Sequence, residues 1–515
     1  MRKTLQFLLF TLNIVVALAC FYLWPFYSLV VIVVALFILG IVDLTQKKHT
    51  ILRNFPVIGH VRYISELIAP EIRQYFIESD TSGKPIDRNH RTYVYARAKM
   101  ENRTHPFGTE LDVEAPDYKW MQHSIYPAPK LHEPPRVTVG GPDCKQPYSA
   151  SLFNISAMSY GSLSKNAVTA LNLGAKAGNF YHNTGEGSIS PYHLQGGDLV
   201  YQIGTGYFGC RAEDGTFSPE KFKVQAARPE VKMIEIKISQ GAKPGHGGVL
   251  PASKNNEEIA EIRGIKPHTA VLSPAGHSAF SNPEELLLWI KQMRELSGGK
   301  PIGFKLCIGN QQEFLDICDK MVETGIKPDF INVDGTEGGT GAAPITFSNY
   351  VGMPWEQGLV FVVDTLIAYN LKKDITVTTA TKIFTAFDLF KALCLGADIC
   401  NSGRGMMLAL GCIQALKCNT NECPTGVATN NPNLVRGLVV EKKWERVKNY
   451  HNEVLEEFLE IFSAAGCTSL DQLNRGLIYQ GTGKHLKSYE ERYPVLAVGS
   501  ALGKNNKLYL EDQVN

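Results

Sequence analysis

The sequence predicts an α/β protein whose main body is a closed (β/α)8 TIM barrel. Three observations point there. Eight short apolar runs succeed one another between Phe153 and Asn401. Patterns of helical period lie between many of them. No Gly-x-Gly-x-x-Gly follows an early run, as an open dinucleotide-binding sheet would need. The expected strands are Phe153–Met158, Phe180–Thr184, Leu199–Gly204, Met233–Ile238, Ile302–Leu306, Phe330–Val333, Ile375–Thr379 and Asp398–Asn401. Helices are expected over Lys165–Ala177, Pro283–Arg294, Glu313–Thr324 and Ala386–Leu395. Strands that alternate with helices build parallel βα units, and eight such units close a barrel.

The N-terminus is of a different kind. Leu5–Leu23 and Phe26–Val42 are almost wholly apolar, and each approaches the ~20 helical residues that cross ~30 Å of hydrocarbon. Between them, in "FYLWPFYS", Pro25 interrupts the helix, and Tyr22, Trp24 and Tyr27 suit a membrane interface. Arg2 and Lys3 precede the first span; Lys47, Lys48, His49 and Arg53 follow the second. Positive flanks at both outer ends predict a two-helix transmembrane hairpin over residues 1–44, with the catalytic domain on the cytoplasmic side of the inner membrane. A lipoprotein-type signal around Leu18-Ala19-Cys20 and a helical pair buried in a soluble core are the competing readings.

Residues 45–147 are polar and mixed in charge and read as a connecting region with a few strands and short helices, packed on the barrel; Asp87 to Glu110 shows no sustained helical period. The barrel is expected over 148–430 and a helical extension over 431–515. A chain of 515 residues with 44% apolar content buries a large core, and a net charge of only +2 argues against a nucleic-acid partner. Eleven cysteines, irregularly spaced, do not form the framework of a small secreted domain.

In a barrel of this kind chemistry sits in the loops after the strands. Those loops read "SAMSYGSLS", "HNTGEGS", "GTGYFGC", "SQGAKPGHGGVLP", "DGTEGGTGAAP", "ATKIFT" and "NSGRGMM", and their glycines allow a ligand to approach the backbone. The loops after the seventh and eighth strands commonly bind phosphate. Thr381 and Lys382 precede a helix beginning near Thr385, and Ser402, Gly403 and Arg404 hold the matching place after the eighth strand; together they predict a site for the phosphate of flavin mononucleotide. Lys237 and Lys305 stand near the ends of the fourth and fifth strands, with Glu186 and Glu337 in the loops after the second and sixth. A lysine there can pair with a carboxylate or with the electron-rich edge of a reduced flavin.

"LGCIQALKCNTNECPTGVAT" (Leu410 to Thr429) supplies Cys412-x5-Cys418-x4-Cys423-Pro424. Three soft thiolates suit an iron–sulfur cluster or zinc, and Cys394 or Cys400 upstream could supply a fourth ligand. A helix over Gly405 to Gly411 would be only ~10 Å long, so metal and flavin would be neighbours.

Taken in order, "SAMSYGSLSKNA", "NTGEG", "IEIKISQGAKPGHGG", "DGTEGGTGAAP", the cysteine run and "RVKNYHNEVLEEFLEIFSAAGCTSLDQL" resemble the synthase domain of glutamate synthase, over roughly Tyr148 to Leu473. The resemblance implies an FMN barrel with Ala157, Met158, Ser159, Gly338 and Gly339 among the cofactor-binding residues. It also implies a [3Fe-4S] cluster on Cys412, Cys418 and Cys423. The reaction it implies is reductive amination of 2-oxoglutarate, through 2-iminoglutarate, to L-glutamate. Lys305 is the expected substrate or flavin clamp, Ser159 and Gln240 are expected positioning groups, and Glu186 and Lys237 complete the catalytic set. No glutaminase domain and no pyridine-nucleotide domain is expected, so ammonia must come from solution or a separate subunit, and electrons from a ferredoxin-like or membrane partner. Two departures bear on the substrate: His246 stands where the resemblance predicts Glu, and "LCIGNQQEF" follows Lys305 where a more glycine-rich loop is expected. Action on another amine or 2-oxo acid, or a non-catalytic membrane electron-transfer subunit, are the alternatives.

Overall fold

The computed structural model describes residues 11, 14, 15, 18, 21, 25–101, 104–482 and 485–502, with 25–30, 482 and 485 described as backbone only. The chain divides into two units, residues 1–88 and 89–515.

In the first unit a helix runs over Pro25–Thr45 and is followed by helices Thr50–Asn54 and His60–Ile72. Asp43 ties the turn together by accepting from the Val57 N–H at 2.8 Å and from His60 Nε2 at 2.9 Å. The first expected span, Leu5–Leu23, lies almost entirely outside the described residues. The second falls within the helix Pro25–Thr45, where Val31, Val33, Phe37 and Ile38 are exposed. Among the described residues no helix is long and apolar enough to cross a membrane.

The second unit is built on eight parallel strands: β1 (Phe153–Ile155), β2 (His182–Asn183), β3 (Leu199–Ile203), β4 (Val231–Lys237), β5 (Ile302–Cys307), β6 (Phe330–Asp334), β7 (Thr376–Thr379) and β8 (Ile399–Ser402). They close into a barrel, with Cys400 of β8 in register with Phe153 of β1. Each lies within or beside a run expected from the sequence. The helices between them start where the sequence places a cap. Ser164 accepts from the Ala167 N–H at the head of α1 (Lys165–Gly178). Asn282 followed by proline opens α2 (Pro283–Leu296), and Asn310 opens α3 (Gln311–Thr324). Then come α4 (Trp355–Ala368), α5 (Ala386–Cys394), the short α6 (Arg404–Leu410) and the long α7 (Val440–Ala464).

The region before the barrel contains both helix and strand. Residues 88–99 form a helix, although the sequence there carries no apolar period. The reason lies in its buried face: Arg91, Val94, Arg97 and Ala98 point inward, and the arginines defeat any reading by hydropathy. Arg97 is buried because its guanidinium pairs with Glu457 of α7. Further on, a hairpin of Arg136–Val139 with Tyr148–Ser151 closes the bottom of the barrel. Its Val139, Tyr148 and Ala150 join Val200, Met233, Phe330 and Ile399 in one apolar layer.

Above that layer the barrel interior is polar. Glu235 of β4 accepts from Asn183 of β2 (2.9 Å), Gln202 of β3 (2.5 Å) and Asn332 of β6 (2.7 Å). One carboxylate thus satisfies three buried amides from three strands, and Lys305 of β5 lies within its field. Replacing Glu235 by leucine leaves those three amides short of an acceptor and removes a negative charge from the field of Lys305. Glu235→Leu should cost about 3–5 kcal/mol of stability, measured by denaturant unfolding; a loss below about 1 kcal/mol would show that the interior does not depend on this carboxylate.

Candidate functional site

The open end of the barrel, where the strands finish, gathers three groups of side chains. The first is a charged rim. Lys305 is 5% exposed and pairs with Asp334 Oδ2 at 3.2 Å. Asp334 also accepts from the Gly241 N–H at 2.9 Å and from Thr381 Oγ1 at 2.6 Å, and Thr381 in turn accepts from the Gly335 N–H. Burial works against the Asp334 carboxylate. Lys305, the Thr381 hydroxyl and the Gly241 amide outweigh it and hold the carboxyl below its ordinary range.

Beside this pair, Lys237 Nζ donates to Glu186 Oε1 at 2.7 Å. Glu186 is wedged between Gly204 and Gly248, where any Cβ would strike its carboxylate. Burial opposes its charge, yet Lys237, Lys243 and Arg263 together keep its carboxyl low. Three cations therefore surround one carboxylate. Lys243 is pushed down to about 8, mainly by burial and then by Lys237, and its Nζ donates to the Gly247 carbonyl. Arg263 donates to the Tyr160 carbonyl at 2.9 Å and reaches Ser159 Oγ at 3.4 Å. Neither Lys243 nor Arg263 was expected from the sequence. Lys243 lies in a glycine-rich loop that reads as a turn, and Arg263 ends a helix, Glu257–Arg263, with nothing local to show where its guanidinium goes. Gln240 contributes its carbonyl to the turn, accepting from the Lys243 N–H at 3.0 Å. His246 Nδ1 lies 2.9 Å from the Gly247 carbonyl and its ring packs edge-on against Phe347. Glu337 accepts from the Trp355 N–H at the start of α4.

The second group lies at the starts of α5 and α6, and here one expectation is corrected. The amides ahead of α5 were expected to face an anion. Instead Asp388 of the helix itself accepts from the Phe384 N–H, the Thr385 N–H and the Thr385 hydroxyl, a reciprocal cap that leaves those donors partnered. Thr381 is fully buried and braces Asp334; Lys382 adopts φ 53° in the turn between them. α6 begins differently. Gly403 has no side-chain cap, and a Cβ there would meet only Ser156 at 3.5 Å and Met158 at 3.8 Å, ordinary contact. Ser402 Oγ donates to the Ile383 carbonyl, and Arg404 Nη2 donates to the Glu337 carbonyl at 2.6 Å, its side chain pressed against Gly339. Ala157, Met158 and Ser159 form the loop after β1 facing this start, and Gly338 closes a turn onto the Gly335 carbonyl. This is the one helix start of the pair whose small residues and uncapped amides suit an anionic cofactor.

The third group is the cysteine loop. It lies over the open end, stitched to the loops after β1, β4 and β6. The Ser164 N–H donates to the Val427 carbonyl at 2.9 Å, Asn421 Nδ2 to the Ser253 carbonyl at 2.9 Å, and a Cβ on Gly341 would lie 2.9 Å from Cys418 Cβ. The three thiols act on one another electrostatically. Burial pushes Cys412 up to about 12 and raises Cys418. Cys423 differs: burial raises it, but the Thr425 hydroxyl and the backbone N–H groups of Ala428, Thr425 and Val427 outweigh that and lower it. A sulfur faced by that many donors is suited to the thiolate form. Among the described residues no group of three or more His, Cys, Asp or Glu converges tightly enough to hold a single metal ion. Cys394 and Cys400, the possible fourth ligands, are buried elsewhere in the barrel wall, with Cys400 inside β8.

Residues 140–468 match the conserved region in glutamate synthase. The glutamate synthase large subunit-like protein YerD of Bacillus subtilis is 38% identical over 501 residues, which cover 89% of this chain and 94% of that protein. The archaeal-type glutamate synthase (NADPH) of Thermotoga neapolitana is 34% identical over 334 residues, 64% of this chain and 62% of that protein. The archaeal glutamate synthase (NADPH) of Methanocaldococcus jannaschii is 33% identical over 340 residues, 65% of this chain and 63% of that protein. These last two matches span less than two thirds of the relatives' length.

The Lys305–Asp334 pair makes a pH test. Because the folded carboxyl lies below its unfolded value of about 3.9, its contribution is present above that pH and is lost as pH falls through the folded value. The stability gap between the wild type and Asp334→Asn should be full at pH 6–7 and shrink as pH drops below about 3.9. Denaturant unfolding across that range checks it; a gap constant with pH would show that Asp334 is not held ionised by its partners.

Proposed function

The chain belongs to the glutamate synthase family, and we propose that it is an FMN and iron–sulfur oxidoreductase that reductively aminates 2-oxoglutarate to L-glutamate. Electrons come from an external ferredoxin-like or membrane donor, and ammonia from solution or a separate subunit. The observation that carries this reading is the seating of the three-cysteine loop on the open end of the barrel, directly against the loop after β6. When bound, FMN supplies the hydride and the cluster on Cys412, Cys418 and Cys423 supplies single electrons.

The residues of the chain do the rest. The loop Ala157–Ser159, the uncapped start of α6 at Gly403, and Gly338 and Gly339 would hold the flavin, with Arg404 fixed beside them; Thr381 and Lys382 shape the facing turn. The excess of cations around Glu186 fits a substrate with two carboxylates: Lys243 and Arg263 are placed to bind them and Lys237 to hold Glu186 in register. Glu186, kept ionised by those cations, accepts an N–H from ammonia or the imine at Oε1 or Oε2. Lys305 supports the site from below, through Asp334 and the Gly241 turn. In this reading it is a positioning residue for the loop carrying Gln240 and Lys243.

Anaerobically purified protein should show a flavin spectrum and contain about three irons per chain. After reduction its flavin should be reoxidised by 2-oxoglutarate with ammonia. Lys243→Ala should raise the 2-oxoglutarate concentration needed by about tenfold or more with flavin retained. Reoxidation only by another 2-oxo acid, or only with another amine in place of ammonia, would support the alternative that His246 and the loop after Lys305 favour, action on a different substrate. No reoxidation by any of them would leave a non-catalytic electron-transfer subunit.

The same reading places the chain at the cytoplasmic membrane through its N-terminal segment, with the barrel on the cytoplasmic side. What supports it is the run of exposed apolar side chains on the helix Pro25–Thr45, which a bilayer would cover. Full-length protein should remain in the membrane fraction after alkaline carbonate washing; release into the wash would overturn the anchor.

A further inference from the structure

Lys254 is 3% exposed, deep under the cysteine loop. Its Nζ donates to two carbonyls, Ser162 at 3.0 Å and Ala428 at 2.9 Å. No carboxylate pairs with it among the described residues; the ionisable groups that act on it are Cys418 and Cys423. A buried ammonium without a counter-charge is costly. Two carbonyls satisfy its hydrogen bonds but not its charge, and a neutral glutamine could have reached a carbonyl as well.

Ala428 joins the two features. Its C=O accepts from Lys254, and its N–H faces the Cys423 sulfur, together with the N–H groups of Thr425 and Val427. The segment carrying Lys254 is fastened to the cysteine loop from both sides. Asn430 Nδ2 donates to the Lys254 carbonyl at 3.2 Å and to the Gly161 carbonyl at 2.9 Å, and Asn421 Nδ2 donates to the neighbouring Ser253 carbonyl. The geometry of the loop is therefore already secured without the ammonium, and the charge is what remains to be explained.

We infer that the Lys254 ammonium, held at the Ala428 carbonyl, is the counter-charge of the anionic cluster carried by Cys412, Cys418 and Cys423. This rests on the cluster reading above. A fixed positive charge beside such a group favours its more negative, reduced form and so raises its reduction potential. In this chain the effect draws electrons from the donor onto the cluster.

The test is a potentiometric titration of the cluster by electron paramagnetic resonance, with dithionite as reductant, on anaerobically purified full-length holoprotein. Iron and sulfide are measured alongside for wild type, Lys254→Met, Lys254→Gln and Lys254→Arg. At the wild-type midpoint, the ratio of reduced to oxidised cluster should fall about tenfold in both neutral variants, ~59 mV for one electron. It should stay within about threefold of wild type in Lys254→Arg, which keeps the charge. Should Lys254→Met fail to fold, Lys254→Gln decides, since it keeps a donor and removes only the charge. A wild-type midpoint in a fully loaded neutral variant overturns the inference and leaves the cluster reading standing. Wild-type protein with neither iron nor sulfide overturns both.

Discussion

The site depends on a layer of buried charge set inside the barrel. Glu235 is held by amides from three other strands, Lys305 lies between it and Asp334, and Asp334 fixes both the Thr381 turn and the Gly241 turn. Such a layer is stable only if each member is paired, because a single missing partner strands a charge in a low-dielectric interior. It therefore acts as a template. The strands must align so that the partners meet, and the loops above inherit that alignment through the backbone N–H groups that Asp334 and Thr381 accept from.

Above this template, charge is distributed unequally. Glu186 faces Lys237, Lys243 and Arg263, while Lys254 donates to two carbonyls and has only thiols, Cys418 and Cys423, for its charge to act on. Each surplus of positive charge lies where an anion is called for by the proposed chemistry: a dicarboxylic acid in one place, a thiolate-bound cluster in the other. The bottom of the same barrel is closed by the hairpin Arg136–Val139/Tyr148–Ser151 and an apolar layer.

Several glycines that look ligand-facing in the sequence prove to serve the packing of one loop on another. Gly204 and Gly248 make room for Glu186, Gly339 for Arg404, and Gly341 for Cys418. A glycine-rich loop records that something approaches the backbone, and in most of these cases the approaching group is another part of the protein. Gly403 is the contrasting case, with only ordinary contacts to a Cβ placed there. Likewise, the helix start at Thr385 reads as an anion site until Asp388, three residues on, is seen to occupy it.

By itself the sequence determined the eight strands, the capped helices between them and the order of loops at the open end, because period, caps and turns are local properties of the chain. It also determined the three cysteines as a unit, since their spacing is local. Tertiary structure alone decided what each loop meets. The helix at Arg88–Lys99 hides Arg97 against Glu457, more than 350 residues away. Lys243 and Arg263 become partners of Glu186, and Lys254 comes to lie under Cys423. Those pairings are electrostatic and long in sequence separation; a residue's charge is written in the sequence, but the partner that makes burial of that charge tolerable is supplied only by the closed barrel.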